Sequence, residues 1–199
     1  MLKSIYQKGN ESQRHYILKQ LARIIAFNYG YKIGAEEVYY FSVDMNMKKR
    51  KDIADYIGLK YQHKWVKGHY EDDIKSICIE AKQSREDFNN GFVTGLDANY
   101  IIAPKGLLTK EDMPKGVGLI EIDFDKLKID WKHMEILKGM EVVKKASKCD
   151  NVHMFKDLEF SQKVDLMRQI GYRNTVETMF IRHGLEEENI KGDYNEKIK

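Results

Sequence analysis

The run Ser76-Ile-Cys-Ile-Glu-Ala-Lys82 constrains this chain more than any other segment, because it must lie in a sheet and yet ends on charge. Its isoleucines and neighbouring small apolar residues are those of a buried strand. Residues two apart on a strand share a face, so Glu80 and Lys82 project side by side at its end. Taking both out of water costs several kcal/mol unless they pair or hold an ion. A strand that accepts this cost has an acid and an ammonium placed for use.

The rest of the chain supplies a sheet around that strand. Asn10-x-x-Gln13 reads as a capping box, and Ile17, Leu21, Ile24 and Ile25 follow at helical spacing, predicting a helix over 11–28. Val38 to Val43 reads as a strand, Lys51 to Tyr61 as a second, and Ser76 to Ala81 as a third. Polar residues 63–73, with Gly68, read as their connection. Ser84 caps a short helix, Ala98 to Ala103 is a fourth strand ending at Pro104, and Gly118 to Asp123 a fifth. Residues 131–148 and 159–183 read as helices. The expectation is an α/β fold, a central mixed sheet flanked by helices, with residues 1–126 as the core. Residues 127–199 are expected as a helical extension packed on the same domain.

Composition excludes several classes. At 199 residues the chain suits one domain, and 42% hydrophobic with 33% charged residues is ordinary for a globular protein. No stretch approaches a membrane span, and the first residues lack a signal-peptide core, so a cytoplasmic protein without a membrane partner is expected. Cys78 and Cys149 read as free thiols. The six histidines form no HxH or HExxH pattern, which argues against structural zinc. A net charge of +3 decides nothing, but its distribution is uneven. Lys48, Lys49, Arg50, Lys51, Lys60, Lys64 and Lys67 face only Asp52 and Asp55 in the same stretch, a local excess suited to phosphates or simply to a solvated hairpin.

A carboxylate beside a lysine can hold a divalent cation through oxygen while the ammonium orients a water and offsets negative charge. One carboxylate holds Mg²⁺ poorly, so a second is needed. Asp52, in the preceding strand within Arg50-Lys-Asp-Ile-Ala-Asp55, is the first choice. Asp55 has the opposite strand parity, so one of the two faces the site unless a bulge intervenes; Asp72 and Asp73 fall in the connection.

These residues resemble the PD-(D/E)XK, restriction-endonuclease-like nuclease superfamily. Arg50-Lys-Asp-Ile53, followed by Ile79-Glu-Ala-Lys-Gln-Ser-Arg-Glu-Asp-Phe88, is similar to the branch of MmcB-like DNA-repair proteins. Asp97 to Pro104 and Val117 to Ile122 resemble that branch's later strands. The similarity spans residues 12–123. The Asp52–Glu80 separation is longer than in that branch, and no proline precedes Asp52.

The resemblance implies a Mg²⁺ (or Mn²⁺)-dependent nuclease, acting on DNA in repair, restriction or a mobile-element context. Asp52 and Glu80 would be metal ligands and Lys82 the catalytic lysine. Glu36 or Glu37 occupies the place of an additional acidic ligand, with Glu37 preferred, and Gln83 is the polar neighbour of the lysine. Arg85 would contact a phosphate beside Lys48, Lys49, Arg50, Lys51, Lys64 and Lys67. A homodimer is compatible with this reading, and the sequence leaves oligomeric state open. Two alternatives remain: a catalytically inactive nucleic-acid-binding module of the same fold, and an α/β protein whose methionine-bearing C-terminal helices bind a partner. Trp65 and Tyr61, beside lysines, suit either base stacking or hairpin packing.

Overall fold

The order of elements follows from where the apolar runs fall and what interrupts them. The computed structural model describes residues 12–43, 49–147, 165–172 and 174, and gives the backbone alone for strand residues 41–43, 49–52, 64, 66, 71 and 72. Helix α1 (Gln13–Asn28) precedes strands β1 (Ile33–Val43), β2 (Lys49–Val66) and β3 (His69–Ala81). Helix α2 (Arg85–Asn89) connects β3 to β4 (Ala98–Pro104), followed by β5 (Val117–Ile122), β6 (Lys128–Asp130), β7 (Glu135–Lys138) and β8 (Met140–Lys144). Residues 165–172 form a further helical segment, α3.

Six strands form one mixed sheet in the order β1-β2-β3-β4-β5-β8, while β6 and β7 pair separately. The α/β class expected from the sequence is the observed one. β1, β2 and β3 run as antiparallel neighbours. β3, β4 and β5 are parallel, and β8 returns antiparallel to β5. Alternation along β3 divides the core. Ile77, Ile79 and Ala81 pack against Leu18, Leu21, Ala22 and Ile25 of α1 on one face. Cys78 joins Ile57, Leu59, Val93 and the α3 residues Leu166 and Ile170 on the other. Each fully buried large side chain contributes roughly 1.5–3 kcal/mol relative to exposure.

Several sequence expectations need correction. The cap of α1 is Ser12, whose side chain accepts from the His15 backbone N–H at 3.2 Å; Asn10 lies outside the described residues. The polar stretch between β2 and β3 is strand rather than loop. Register runs unbroken from Tyr56↔Ile79 to Val66↔His69, leaving only Lys67 and Gly68 as the turn. Both take positive φ, 47° and 93°, the conformation that matches a hairpin's right-handed twist. Polarity misled here because a two-stranded ribbon with both faces in water needs no apolar alternation. Residues 131–144 hold β7 and β8 instead of a helix, and β8 completes the main sheet. Gly139, at φ 85°, separates those two strands and stops any helix there. Of the helix expected over 159–183, the described part at 165–172 is helical.

Gly118 fits its place because it lies opposite Tyr100 on the parallel neighbour strand. A Cβ there would meet the Tyr100 ring and come within 2.7 Å of the Ala146 backbone nitrogen. Gly118→Ala should therefore lower unfolding free energy by about 1–3 kcal/mol, the usual cost of overpacking, as read from the urea midpoint at unchanged slope. An unchanged midpoint would show that the ring moves aside freely.

Candidate active site

The centre of the site is a fork in the sheet. The β2–β3 ladder ends at Tyr56↔Ile79, while β3 continues beside β4 through Glu80↔Ile101 and Ala81↔Ile102. The backbone N–H of Lys82 then donates to Ile102 O at 2.9 Å. Where β2 and β3 part, each strand would leave a backbone donor unmatched. Two carboxylates fill the gap. The Asp55 N–H donates to Glu80 Oε1 at 3.1 Å, and the Ala81 N–H donates to Asp55 Oδ2 at 2.9 Å. Each acid thus accepts from the other strand's backbone, and the pair sits at the change from antiparallel to parallel pairing.

Lys82 is held from the far side. Its Nζ donates to Gly91 O at 2.8 Å, lies 3.4 Å from Asp87 Oδ1, and is 4.0 Å from Glu80 Oε2. Asp87 is fixed in turn at the start of α2. Its backbone N–H donates to the Ser84 hydroxyl at 3.1 Å, and its Oδ2 accepts from the Gln83 backbone N–H at 3.1 Å. The Ser84 cap expected from sequence therefore also orients the partner of the lysine.

Glu80 and Lys82 are 4% and 6% exposed, so the pair is nearly dry. Burial pushes the Glu80 carboxyl up to about 8, with the neighbouring Asp55 carboxylate adding to the rise. Lys82 and the backbone donors of Asp55 and Val93 oppose it without cancelling it. A cleft of about 200 Å³ opens onto the pair, lined among others by His15, Ile53, Asp55, Lys82, Asp87 and Phe92. His15 reaches it from the first turn of α1, with Nε2 3.8 Å from Asp55 Oδ2.

The predicted residues are distributed unevenly around this centre. Glu80 and Lys82 lie in it as expected. The acid that the described side chains bring to Glu80 is Asp55. Asp52 sits three residues earlier on β2, its backbone paired with Tyr40 and its side chain outside the described ones. Glu37 does not line the cleft: it takes φ 52° and accepts from Lys19 Nζ at 3.2 Å. Glu36 instead accepts from Gln20 at 2.8 Å. Gln83 is exposed and contacts the Ser12 hydroxyl. Arg85, expected on a phosphate, pairs with Asp112 at 2.6 Å. Lys67 is in the hairpin turn, and Lys49, Arg50, Lys51 and Lys64 are placed on β2 by backbone alone. Lys48 lies outside the described residues. Sequence reasoning placed Asp87 at the cap of the helix after β3 but missed its pairing with Lys82, and it missed His15 altogether. The signal available for Asp87 was its spacing from Ser84; His15 had none, since helix packing brings it in.

Among the described residues, no set of three His, Cys, Asp or Glu side chains is placed to hold a metal by itself, and no helix is long and apolar enough to cross a membrane. No family model matches the chain, and no curated protein does. Among solved structures, a protein of unknown function from Silicibacter pomeroyi aligns at 18% identity with a TM-score of 0.49, covering 86% of this chain and 93% of that one.

The raised Glu80 carboxyl gives a stability signature. A carboxyl held above its unfolded value binds its proton more tightly in the folded state. Its contribution is complete below the ordinary carboxylate range and is lost as pH rises toward about 8. In chelator-containing buffer the urea midpoint should therefore fall between pH 5 and 8, and Glu80→Gln should flatten that fall. Equal slopes in wild type and variant would assign the pH dependence to other groups.

Proposed function

We propose that this protein is a divalent-metal-dependent nuclease that hydrolyses phosphodiester bonds in DNA. The observation that carries the reading is the fork itself. Two carboxylates, Asp55 and Glu80, converge at the end of a buried strand, with an ammonium two residues further on the same face. The acids satisfy the two amides at the fork, but a buried ammonium placed beside them goes beyond that structural duty.

The donor set fits a hard cation. Oxygen ligands from two carboxylates suit Mg²⁺ or Mn²⁺, which fill their remaining positions with water and phosphate oxygens. Glu80, driven toward neutrality by burial and by Asp55, is the kind of group a cation would return to its charged form. Asp55 and Glu80 would hold the ion. Bound there, it would supply charge neutralisation at the scissile phosphate and a more acidic water.

The chain's own residues do the rest. Lys82 has three N–H donors, two of them taken by Gly91 and Asp87, which leaves the third for a water or phosphate oxygen beside Glu80. Its fixed positive charge offsets negative charge that develops during attack, in a site where water screens little. Asp87 keeps the ammonium aimed. His15 borders the same cleft beside Asp55, where it can position a phosphate oxygen or a water. The basic run Lys49, Arg50 and Lys51 precedes Asp55 on β2 and suits the backbone of a bound strand without reading its bases.

With Mg²⁺ or Mn²⁺, wild-type protein should cut labelled DNA. Lys82→Ala, Glu80→Gln and Asp55→Asn should each reduce the rate by about 10²-fold or more, while Asp52→Asn should stay within a few-fold of wild type. Abolition by Asp52→Asn with retention in Asp55→Asn would reverse the choice of acid. Salt-sensitive DNA binding with no cutting by wild type would leave the inactive binding module in its place.

A further inference from the structure

β2 and β3 continue well past the sheet that holds the site. β1 pairs with β2 only as far as Leu59, and β4 begins to pair with β3 at Ile77. Among the described residues, 60–75 are therefore a two-stranded ribbon with no third strand beside it. Directly opposed residues share a face, so Tyr61, His63 and Trp65 of β2 lie with Tyr70 of β3 on one side of the ribbon. That parity is the one carried by Asp55 and Glu80, although strand twist rotates the face as the ribbon extends.

The rings on this face are in solvent. Tyr61, Trp65 and Tyr70 are 55%, 64% and 69% exposed. They form an edge-on chain: Tyr61–His63 at 5.1 Å and 77°, His63–Tyr70 at 6.0 Å and 74°, Trp65–Tyr70 at 4.7 Å and 71°. Cross-strand contact of this kind steadies an isolated ribbon. Each such contact sets the edge of one ring on the face of another, and more than half of the surface of Tyr61, Trp65 and Tyr70 still stays in water at considerable apolar cost. Aliphatic β-branched pairs would steady the ribbon with less exposed surface.

We propose that this ribbon is a base-stacking arm that takes unpaired nucleobases of the nucleic acid whose backbone occupies the Asp55–Glu80 cleft. The inference rests on the nuclease reading and narrows its substrate class to single-stranded or locally unpaired DNA. Base stacking on aromatic faces is tolerant of sequence because every base has a π-face. Charge is compatible with it. The ribbon carries Lys60, Lys64, Lys67 and Lys75 against Glu71, Asp72 and Asp73, and Lys75 already neutralises Asp73 at 3.1 Å. With so small a positive excess, ring contact carries the affinity here, while the Lys49–Lys51 run on the same strand serves the phosphates. At roughly 3.3 Å per residue, Tyr61 lies about 20 Å and Trp65 about 33 Å along β2 from Asp55. The unpaired bases would thus sit up to about one duplex turn from the scissile bond.

The test is binding in chelator, where nothing depends on cleavage. In a Trp131→Phe background, Trp65 is the remaining tryptophan and reports directly on the arm. Oligothymidylate should quench Trp65 fluorescence and bind more tightly than a duplex of equal length. Trp65→Ala, followed by intensity-independent anisotropy of a labelled oligonucleotide, should weaken single-strand binding about tenfold. Trp65→Phe should restore most of it, with thermal melting confirming that both variants fold. Equal affinity for single strand and duplex, unmoved by Trp65→Ala, would overturn the proposal. So would a wild-type dimer that Trp65→Ala converts to monomer without changing DNA binding, since the arm would then join two copies of this chain. Cutting by wild type without ring-dependent binding would sink the arm alone. Ring-dependent binding without cutting would sink the nuclease reading and leave a single-strand binding surface.

Discussion

Two backbone donors at the parting of β2 and β3 organise this molecule. Beyond Tyr56 and Ile79 the two strands no longer pair, and amides facing the gap between them need acceptors. Asp55 and Glu80 provide them reciprocally, so the acids are structural members of the sheet as well as candidates for chemistry. Their position also fixes Lys82, which must lie where β3 leaves β4 and where Gly91 and Asp87 can receive it. The electrostatic consequence is a Glu80 carboxyl that burial and Asp55 push up by more than the Lys82 ammonium offsets.

The same pair of strands serves three ends along its length. The start of β2 carries a basic run, its middle carries Asp55, and its far part pairs with β3 as an aromatic ribbon. Strand rigidity connects the three, because a continuous ladder holds relative spacing in a way that loops do not. Cores on both faces of the sheet then anchor the middle. α1 covers one side and, through His15, touches the rim of the cleft; Val93 and the α3 residues cover the other.

Much of the fold was legible in the chain. Strands β3, β4 and β5 announced themselves as short apolar β-branched runs, and Ser84 announced α2 through its capping chemistry. The hairpin was misjudged because its outer half has water on both faces and therefore no alternation to detect. The segment at 131–144 was misjudged because short, half-exposed strands next to turn residues resemble a polar helix in composition. Sheet pairing decided the matter, since β5 would otherwise have an open edge.

The sequence by itself determined that an acid and a lysine close a buried strand, because period two and the cost of burying charge are local facts about Ile77 to Lys82. It could not determine which aspartate meets Glu80. That depends on the hairpin's register, set by a two-residue turn far from the site, and shifting register changes which residues face one another. Only the tertiary structure put Asp55 opposite Glu80, engaged Glu37 with Lys19, and brought His15 from the helix to the cleft. Those are contacts between segments distant in the chain, fixed by packing geometry that no local pattern encodes.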